Sequence, residues 1–292
     1  MDSTSRHRPT ALSAAWIVLR TSIEERLVYR GDFMLGTLMR FLPIVTQIFL
    51  WTAIYAATAE TNDGQGEKEL GGYGKSELIA YFLLTMVSRA FSSMPGLAGG
   101  VARSIRDGSI KKYLTQPVDM IGFLLLGRVA HKLVYYLIAT LPFALVFFLC
   151  RGYFSGWPDV GTLFAFLLSL ILSFLLGFFL EATIGMIGFW FLEVSSLLFV
   201  YMLFSFFLSG HMFPLSMLDR VVLPGGWTLF DIVGFTPFQY LAYFPSAVFL
   251  GKVTGAELVR GLLVEAAWVV GLMILSRWAY QRGVKRYSGY GG

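Results

Sequence analysis

Residues 160–180 read VGTLFAFLLSLILSFLLGFFL, a run of 21 residues without a charged side chain. A helix rises about 1.5 Å per residue, so this run is long enough to cross the roughly 30 Å hydrocarbon core of a bilayer. The whole chain has a similar character, since 56% of its 292 residues are hydrophobic and only 14% are charged, against about 25% charged in globular proteins. The sequence therefore predicts an all-α polytopic membrane protein.

Five further apolar segments have about the length of a membrane span. Three are uncharged, one contains Arg89, and the last contains Arg260 and Glu265. We therefore predict a single transmembrane domain over residues 1–292, with six spans and little chain left for a soluble domain. The predicted elements are an interfacial helix at 11–30, spans at 33–58, 77–97, 120–150 (with an interfacial start), 159–181, 190–210 and 256–281, a cytoplasmic segment at 99–119 and an outer segment at 211–251.

Positive charges are distributed unevenly between alternate connections. Sixteen of the 23 lysines and arginines lie in residues 1–32, 89–132 and 277–292. Because cytoplasmic loops of membrane proteins carry an excess of Lys and Arg, we expect both termini and the loop between the second and third spans in the cytoplasm. The proline-rich segment 211–251 then lies outside, where we expect short re-entrant helices. A capped extracellular loop is the alternative for that segment.

Residues 11–30 have an amphipathic pattern that differs from the spans. Their apolar side chains recur every three or four positions, at Leu12, Trp16, Leu19, Ile23 and Leu27. A helix of this kind lies in the plane of the membrane surface with its apolar face buried. Packing against neighbouring spans is the alternative, and both interpretations leave the helix on the cytoplasmic side.

Catalytic motifs are not evident in the sequence. Gly74-Lys75-Ser76 is like the end of a phosphate-binding loop, but Glu69 stands where that loop needs a glycine. The three histidines are far apart along the chain, and a lone cysteine, Cys150, can form no internal disulfide. We therefore predict that the chain is not an enzyme, has no metal site or cofactor of its own, and does not bind nucleic acid.

Three carboxylates are candidates for a polar substrate path. Glu265 lies in the last predicted span, and Glu181 and Glu193 lie at the inner turn between the fourth and fifth spans. Ionisable groups at membrane depth usually face protein or a water-filled cavity. Contact between helices is the alternative role for all three.

The order of the elements supports a family assignment. A basic stretch, DGSIKKYLTQPVD at 107–119, lies between the second and third spans, and a broken outer segment precedes the last span. This order resembles the membrane subunit of an ABC-2 type exporter over nearly the whole chain. The stretches most similar to the branch associated with viologen and drug efflux are LSGHMFPLSML at 208–218, PFQYLAYFPSAVFLGK at 237–252 and WVVGLMILSRWAYQRGVKRYSGYGG at 268–292.

The resemblance implies a permease subunit in the plasma or inner membrane that has no ATPase of its own. It implies a second membrane subunit, either the same chain or a related permease, and two ABC ATPase subunits that carry ATP and Mg²⁺. It also implies a coupling helix at about 101–107 that docks in a cleft of the ATPase. The residues assigned to ATPase coupling are Arg103, Ile105, Arg106, Gly108, Lys111, Lys112, Leu114 and Pro117. Binding of membrane lipid headgroups by the same basic residues is the alternative, and both can occur together.

The expected function is export of a hydrophobic or amphipathic substrate from the cytoplasm or the inner leaflet. A secondary transporter or channel without an ATPase partner is the alternative. Secondary transporters normally contain internal repeats with broken helices in both halves, and we find only one broken region in this sequence.

Overall fold

A computed structural model describes residues 16–17, 19–21, 23–24, 30–60, 69–115, 119–191 and 193–287. Within these ranges the regular structure is helical, with two isolated β-bridges and no strand. The α-helices are α1 (Arg30–Glu60), α2 (Lys75–Ser92), α3 (Leu97–Arg106), α4 (Lys111–Leu114), α5 (Met120–Leu149), α6 (Val160–Met186), α7 (Ser195–Leu208), α8 (Leu229–Gly234), α9 (Tyr243–Phe249) and α10 (Gly255–Arg286). Short 3₁₀ helices lie at Arg151–Tyr153, Ile187–Phe189, Leu215–Arg220 and Pro237–Leu241.

Several of these helices could cross a membrane. Among the described residues, four helical segments are both long and apolar enough, namely Lys75–Arg106 (α2 with α3), Met120–Leu149, Val160–Phe189 and Gly255–Arg286. Two shorter helices, Leu42–Ala57 within α1 and Ser195–Leu208, are also apolar. The prediction of an all-α membrane protein is confirmed, whereas the count of six spans and the location of the termini stay predictions.

The chain divides into two compact units. The smaller contains Met1–Arg40 and Lys111–Leu145, and the larger contains Phe41–Ile110 and Val146–Gly292. In the smaller unit, the Asp119 carboxylate accepts a hydrogen bond from the Gly122 N–H (2.9 Å) at the start of α5. This contact satisfies one of the N–H groups that the first turn of a helix leaves without an intrahelical partner.

Helix α5 is continuous over 30 residues and contains Pro142. At 1.5 Å per residue it is about 45 Å long, which exceeds the thickness of the hydrocarbon core. The interfacial start and the span that the sequence predicts for 120–150 are therefore parts of one continuous helix. Along this helix Leu133, Leu137 and Leu141 are each more than half exposed, as expected of a face in contact with lipid.

Helix α6 is the central helix of the larger unit and contacts α2, α3, α9 and α10. Its close approach to α2 and α3 depends on three glycines, Gly177 and Gly185 of α6 and Gly188 of the 3₁₀ helix that follows, which we call the glycine seam. A Cβ atom on Gly177 would lie 2.0 Å from the carbonyl oxygen of Ser92, and one on Gly185 would lie 2.9 Å from that of Ala98. Small residues allow such backbone contacts. These contacts matter in membranes, because lipid provides no hydrophobic driving force for the association of helices.

The ends of α6 and α7 are set by local signals. Asp159 precedes α6, and its carboxylate accepts hydrogen bonds from the hydroxyl (2.6 Å) and the N–H (3.1 Å) of Thr162. These two bonds hold the pKa of Asp159 below its usual value. Helix α7 ends at Leu208, although the uncharged run continues to Leu218, because Gly210 adopts a φ of +78° that favours glycine.

The outer segment predicted at 211–251 contains two 3₁₀ helices and the short helices α8 and α9. It packs against the start of α2 through a buried cluster of Tyr55, Tyr73, Leu78, Tyr81, Phe82, Leu215, Val233, Tyr243 and Ala247. The Tyr81 hydroxyl donates a hydrogen bond to the Gly210 carbonyl, and the Lys252 ammonium lies 2.7 Å from the Glu77 carboxylate. Re-entry of this segment into the membrane stays a prediction.

The predicted interfacial helix at 11–30 lies mostly outside the described residues. Those that the structure describes within it are helical, and the Arg20 guanidinium pairs with the Glu24 carboxylate at 2.9 Å.

Candidate functional site

Helix α3 carries the first three residues to which the resemblance assigns a coupling role. Arg103 and Arg106 are exposed, whereas the Ile105 side chain is only 4% exposed. Its Cδ1 atom lies 3.4 Å from the position that a Cβ on Gly188 would take. Ile105 therefore packs against the glycine seam, so it holds α3 in place and does not form part of the exposed surface.

Helix α3 also begins four residues before the predicted start at 101. Gly96 precedes it with a φ of +73°, a conformation that a residue with a side chain rarely adopts. At the other end, the Asp107 carboxylate accepts a hydrogen bond from the Ser109 N–H (3.0 Å), and Gly108 has a φ of +79°. Hydrogen bonds from Ser109, followed by the charges of Arg103 and Arg106, hold the pKa of Asp107 below its usual value.

Arg103 and Arg106 line a cavity of about 420 Å³ between α3 and the start of α7, which we call the α3 groove. On its opposite side, the Glu193 carboxylate lies 3.8 Å from the Arg106 guanidinium. Both side chains are more than half exposed, and exposed ion pairs contribute little to stability. The groove therefore presents two exposed guanidinium groups, and the ion pair of Arg106 contributes little to the stability of the fold.

The remaining coupling candidates belong to the smaller unit. Lys111, Lys112 and Leu114 are exposed on α4, and the Lys112 ammonium lies 4.8 Å from the centre of the Tyr113 ring. Pro117 lies outside the described residues.

Two of the three carboxylate candidates lie at helix N-termini. Glu193 accepts a hydrogen bond from the Ser195 N–H (2.9 Å) at the start of α7. Hydrogen bonds from Ser195 and the charge of Arg106 hold the pKa of Glu193 below its usual value. One oxygen of Glu181 lies 3.5 Å from the Ala98 backbone nitrogen in the first turn of α3. Negative charge is favourable at both positions because of the helix dipole.

Glu181 also lines a second cavity, of about 310 Å³, which we call the Arg89 cavity. It lies where the end of α2 and the start of α3 face α6 and α7. Arg89 donates a hydrogen bond to the Ser205 hydroxyl (3.3 Å) across it, and the Tyr201 side chain forms part of the wall.

The comparison with protein families decides the class of the molecule. The model of the ABC-2 family transporter proteins matches residues 41–291. The chain belongs to the ABC-2 family. It is therefore a membrane-embedded permease component of an ABC transporter, a class that is generally not catalytic itself and typically pairs with an ATPase subunit. No curated protein gives a significant match to the chain.

The third carboxylate of this ABC-2 protein lies away from both cavities. Glu265 in α10 is fully buried, and its Oε2 atom accepts a hydrogen bond from the Ser169 hydroxyl in α6 (2.9 Å). Its Oε1 atom has no hydrogen-bond partner among the described residues. The structure thus brings Arg103, Arg106 and Glu193 together and places Glu265 in a contact between two helices.

The Ser169–Glu265 contact gives a stability prediction. Ser169→Ala leaves a buried carboxyl group without a hydrogen bond, and we expect this to lower the free energy of unfolding by about 1–3 kcal/mol. The double variant Ser169→Ala/Glu265→Leu removes both polar groups and should recover most of that loss. Thermal unfolding of the purified variants in detergent checks this, and equal losses in the single and double variants would contradict it.

Sequence reasoning did not single out the hydroxyl groups of the Arg89 cavity. Ser92, Tyr201 and Ser205 come from α2 and α7, and nothing in the local pattern of this ABC-2 protein marks them. Arg89 is the one available signal, because a charge within an apolar span usually faces protein or a cavity.

Proposed function

We propose that this chain is the permease subunit of an ATP-binding cassette exporter in the plasma or inner membrane. It pairs with a second membrane subunit, either another copy or a related permease, and two separate ATPase subunits bind and hydrolyse ATP. Membership of the ABC-2 family supports the proposal. The observation that carries it is the pair of exposed arginines, Arg103 and Arg106, at the end of a helix that is anchored through Ile105.

Arginine suits a docking contact of this kind. Its planar guanidinium group presents five N–H donors and pairs with carboxylates in a fixed two-bond geometry. In our proposal, acidic residues of the ATPase enter the α3 groove and bind Arg103 and Arg106, while Lys111, Lys112 and Leu114 add contacts with the ATPase or with lipid headgroups. ATP binding draws the ATPases together, and the helices alternate between states that open inward and outward.

The substrate in this proposal is hydrophobic or amphipathic and leaves from the cytoplasm or the inner leaflet. The similarity of residues 208–218, 237–252 and 268–292 to the viologen and drug efflux branch supports this class of substrate. In this proposal, Glu181 and Glu193 lie near the start of the path that the substrate takes through the protein, beside the two cavities.

Capture of the ATPase tests the proposal. The chain is expressed with a candidate ABC ATPase subunit from the same genome, extracted in mild detergent and purified through a tag on the permease. We expect copurification of two ATPase subunits with two membrane subunits, and ATP hydrolysis that rises when the permease is present. A permease that purifies alone and transports under an ion gradient without ATP would favour the secondary transporter.

A further inference from the structure

We propose that Glu265 is a proton-binding site of the permease and that its carboxyl group carries a proton while α6 and α10 are in contact. The site lies within the larger unit, on two helices that are each long and apolar enough to cross a membrane. Glu265 lies about 15 Å along α10 from its start at Gly255, far from both ends of the helix. The inference goes beyond the proposed function, because it concerns proton binding by this chain alone and requires no ATPase.

The carboxyl group of Glu265 is placed where water does not reach it. The side chain is 0% exposed, and α6 faces it from the uncharged run at 160–180. The ionisable residue of α6, Glu181, lies about three helical turns beyond Ser169. The hydroxyl of Ser169 bonds to Oε2, and Oε1 has no partner among the described residues. Because an ionised carboxylate offers about four acceptor positions, ionisation would leave most of them empty.

Cations that could stabilise an ionised Glu265 are not in contact with it. Within the part of the chain that the structure describes, no lysine, arginine or histidine forms an ion pair with this residue. Arg260 is the nearest cation along the sequence of α10, but its side chain is exposed. The contact between α6 and α10 therefore provides a hydroxyl group for Glu265 and no opposite charge.

The other elements that approach this part of α10 provide no cation among their described residues. The 3₁₀ helix Pro237–Leu241 contributes Tyr240, which interacts electrostatically with Glu265, but a phenol is uncharged at neutral pH. Helix α9 packs against α10 through the ring of Phe244. The titratable residue of α9, Tyr243, belongs to the buried cluster that holds the outer segment.

A neutral carboxyl group is the form that fits these surroundings. Burial of an unpaired charge costs far more free energy than burial of a neutral polar atom without a partner. When Glu265 is protonated, it keeps its hydrogen bond with Ser169 and brings no charge into the contact. Loss of the proton would place an uncompensated charge between α6 and α10, so this contact should weaken as the pH rises.

Infrared difference spectroscopy of the purified full-length chain tests the site directly. Spectra of the unmodified protein and of Glu265→Gln are compared at about pH 7.5, where an ordinary glutamate, with a pKa of about 4.3, is ionised. We expect the carbonyl stretching band of a protonated carboxylic acid in the unmodified protein and its loss in the variant. Identical spectra in this region would overturn the proposal.

Two further variants control for the substitution. Glu257→Gln replaces an exposed glutamate in the first turn of α10 and should retain the band. Ser169→Ala keeps the carboxyl group of Glu265 but removes its hydrogen bond, so it should shift the frequency of the band. If Glu265→Gln does not fold, the double variant Ser169→Ala/Glu265→Leu provides the same comparison. A band that is unaffected by both Ser169→Ala and the double variant would refute the site.

The pH dependence of stability is a second, independent measurement. Unfolding exposes Glu265 to water, where it releases its proton at neutral pH, so the unfolded state binds fewer protons and stability falls as the pH rises. The folded-to-unfolded ratio of the unmodified protein should therefore fall by up to about tenfold per pH unit relative to that of Glu265→Gln. Glu257→Gln should follow the unmodified protein. Parallel curves for the unmodified protein and Glu265→Gln would contradict the proposal.

Discussion

Arg103→Glu is expected to reduce ATP-driven transport by roughly 30-fold or more while the amount of permease in the membrane stays unchanged. Loss of one partner of a buried charge pair at an interface costs about 2–5 kcal/mol, which corresponds to at least this factor in affinity. Folding should not suffer, because Arg103 is exposed and the packing of α3 depends on Ile105. Transport into inverted vesicles, with ATPase capture measured in parallel, checks the prediction.

Two further variants control for the change in charge. Arg282→Glu makes the same change on α10 and should leave transport intact. Arg106→Glu is a less specific test of docking, because the new carboxylate would repel that of Glu193, which lies 3.8 Å from Arg106. Normal transport by the Arg103→Glu protein would remove α3 from the proposed docking site.

Gly177→Ala is expected to destabilise the protein by about 3 kcal/mol, at the upper end of the typical cost of overpacking. The added Cβ would lie 2.0 Å from the Ser92 carbonyl oxygen, a backbone atom that no rotamer change can move. The measurement is the thermal unfolding midpoint of the purified protein, together with the yield of folded protein from membranes.

Gly271→Ala is the matched control in α10. Apart from its chain neighbours and the backbone of its own helix, no atom lies within 4 Å of the position of its Cβ, and alanine is favoured over glycine in a helix interior by up to about 1 kcal/mol. The same chemical change should therefore raise stability at one position and lower it at the other. A midpoint for Gly177→Ala equal to that of the unmodified protein would show that α2 and α6 do not approach as closely as the structure indicates.

The membrane class and the helices could be predicted from the sequence because hydropathy reports directly on the cost of placing each residue in lipid. The run at 160–180 corresponds to α6, and the segment before Asp107 corresponds to α3. Helix ends were harder to predict: α3 begins four residues before the predicted start at 101, whereas the span predicted at 190–210 ends within two residues of the end of α7 at Leu208. That boundary depends on the backbone conformation of Gly210, whose carbonyl oxygen accepts a hydrogen bond from the Tyr81 hydroxyl.

The arrangement of the candidate sites could not be predicted, because it depends on contacts between residues far apart in sequence. Arg103 stood out as a charge, but the position of Glu193 across the α3 groove follows from the packing of α3 against α7. Ile105 was assigned to ATPase coupling by the resemblance, and only the structure shows that its side chain is buried against the glycine seam. Ser92 has no distinguishing sequence signal, and only the fold places it on a cavity wall.

The glycine seam has a mechanical consequence. Where side chains separate two helices, rotamer changes can absorb a small displacement, but backbone atoms in direct contact have no such freedom and packed interiors compress little. We therefore expect α3 and α6 to move together as one rigid body. Force applied at Arg103 would then shift both helices relative to α7, which forms another wall of the Arg89 cavity, and would change the width of that cavity.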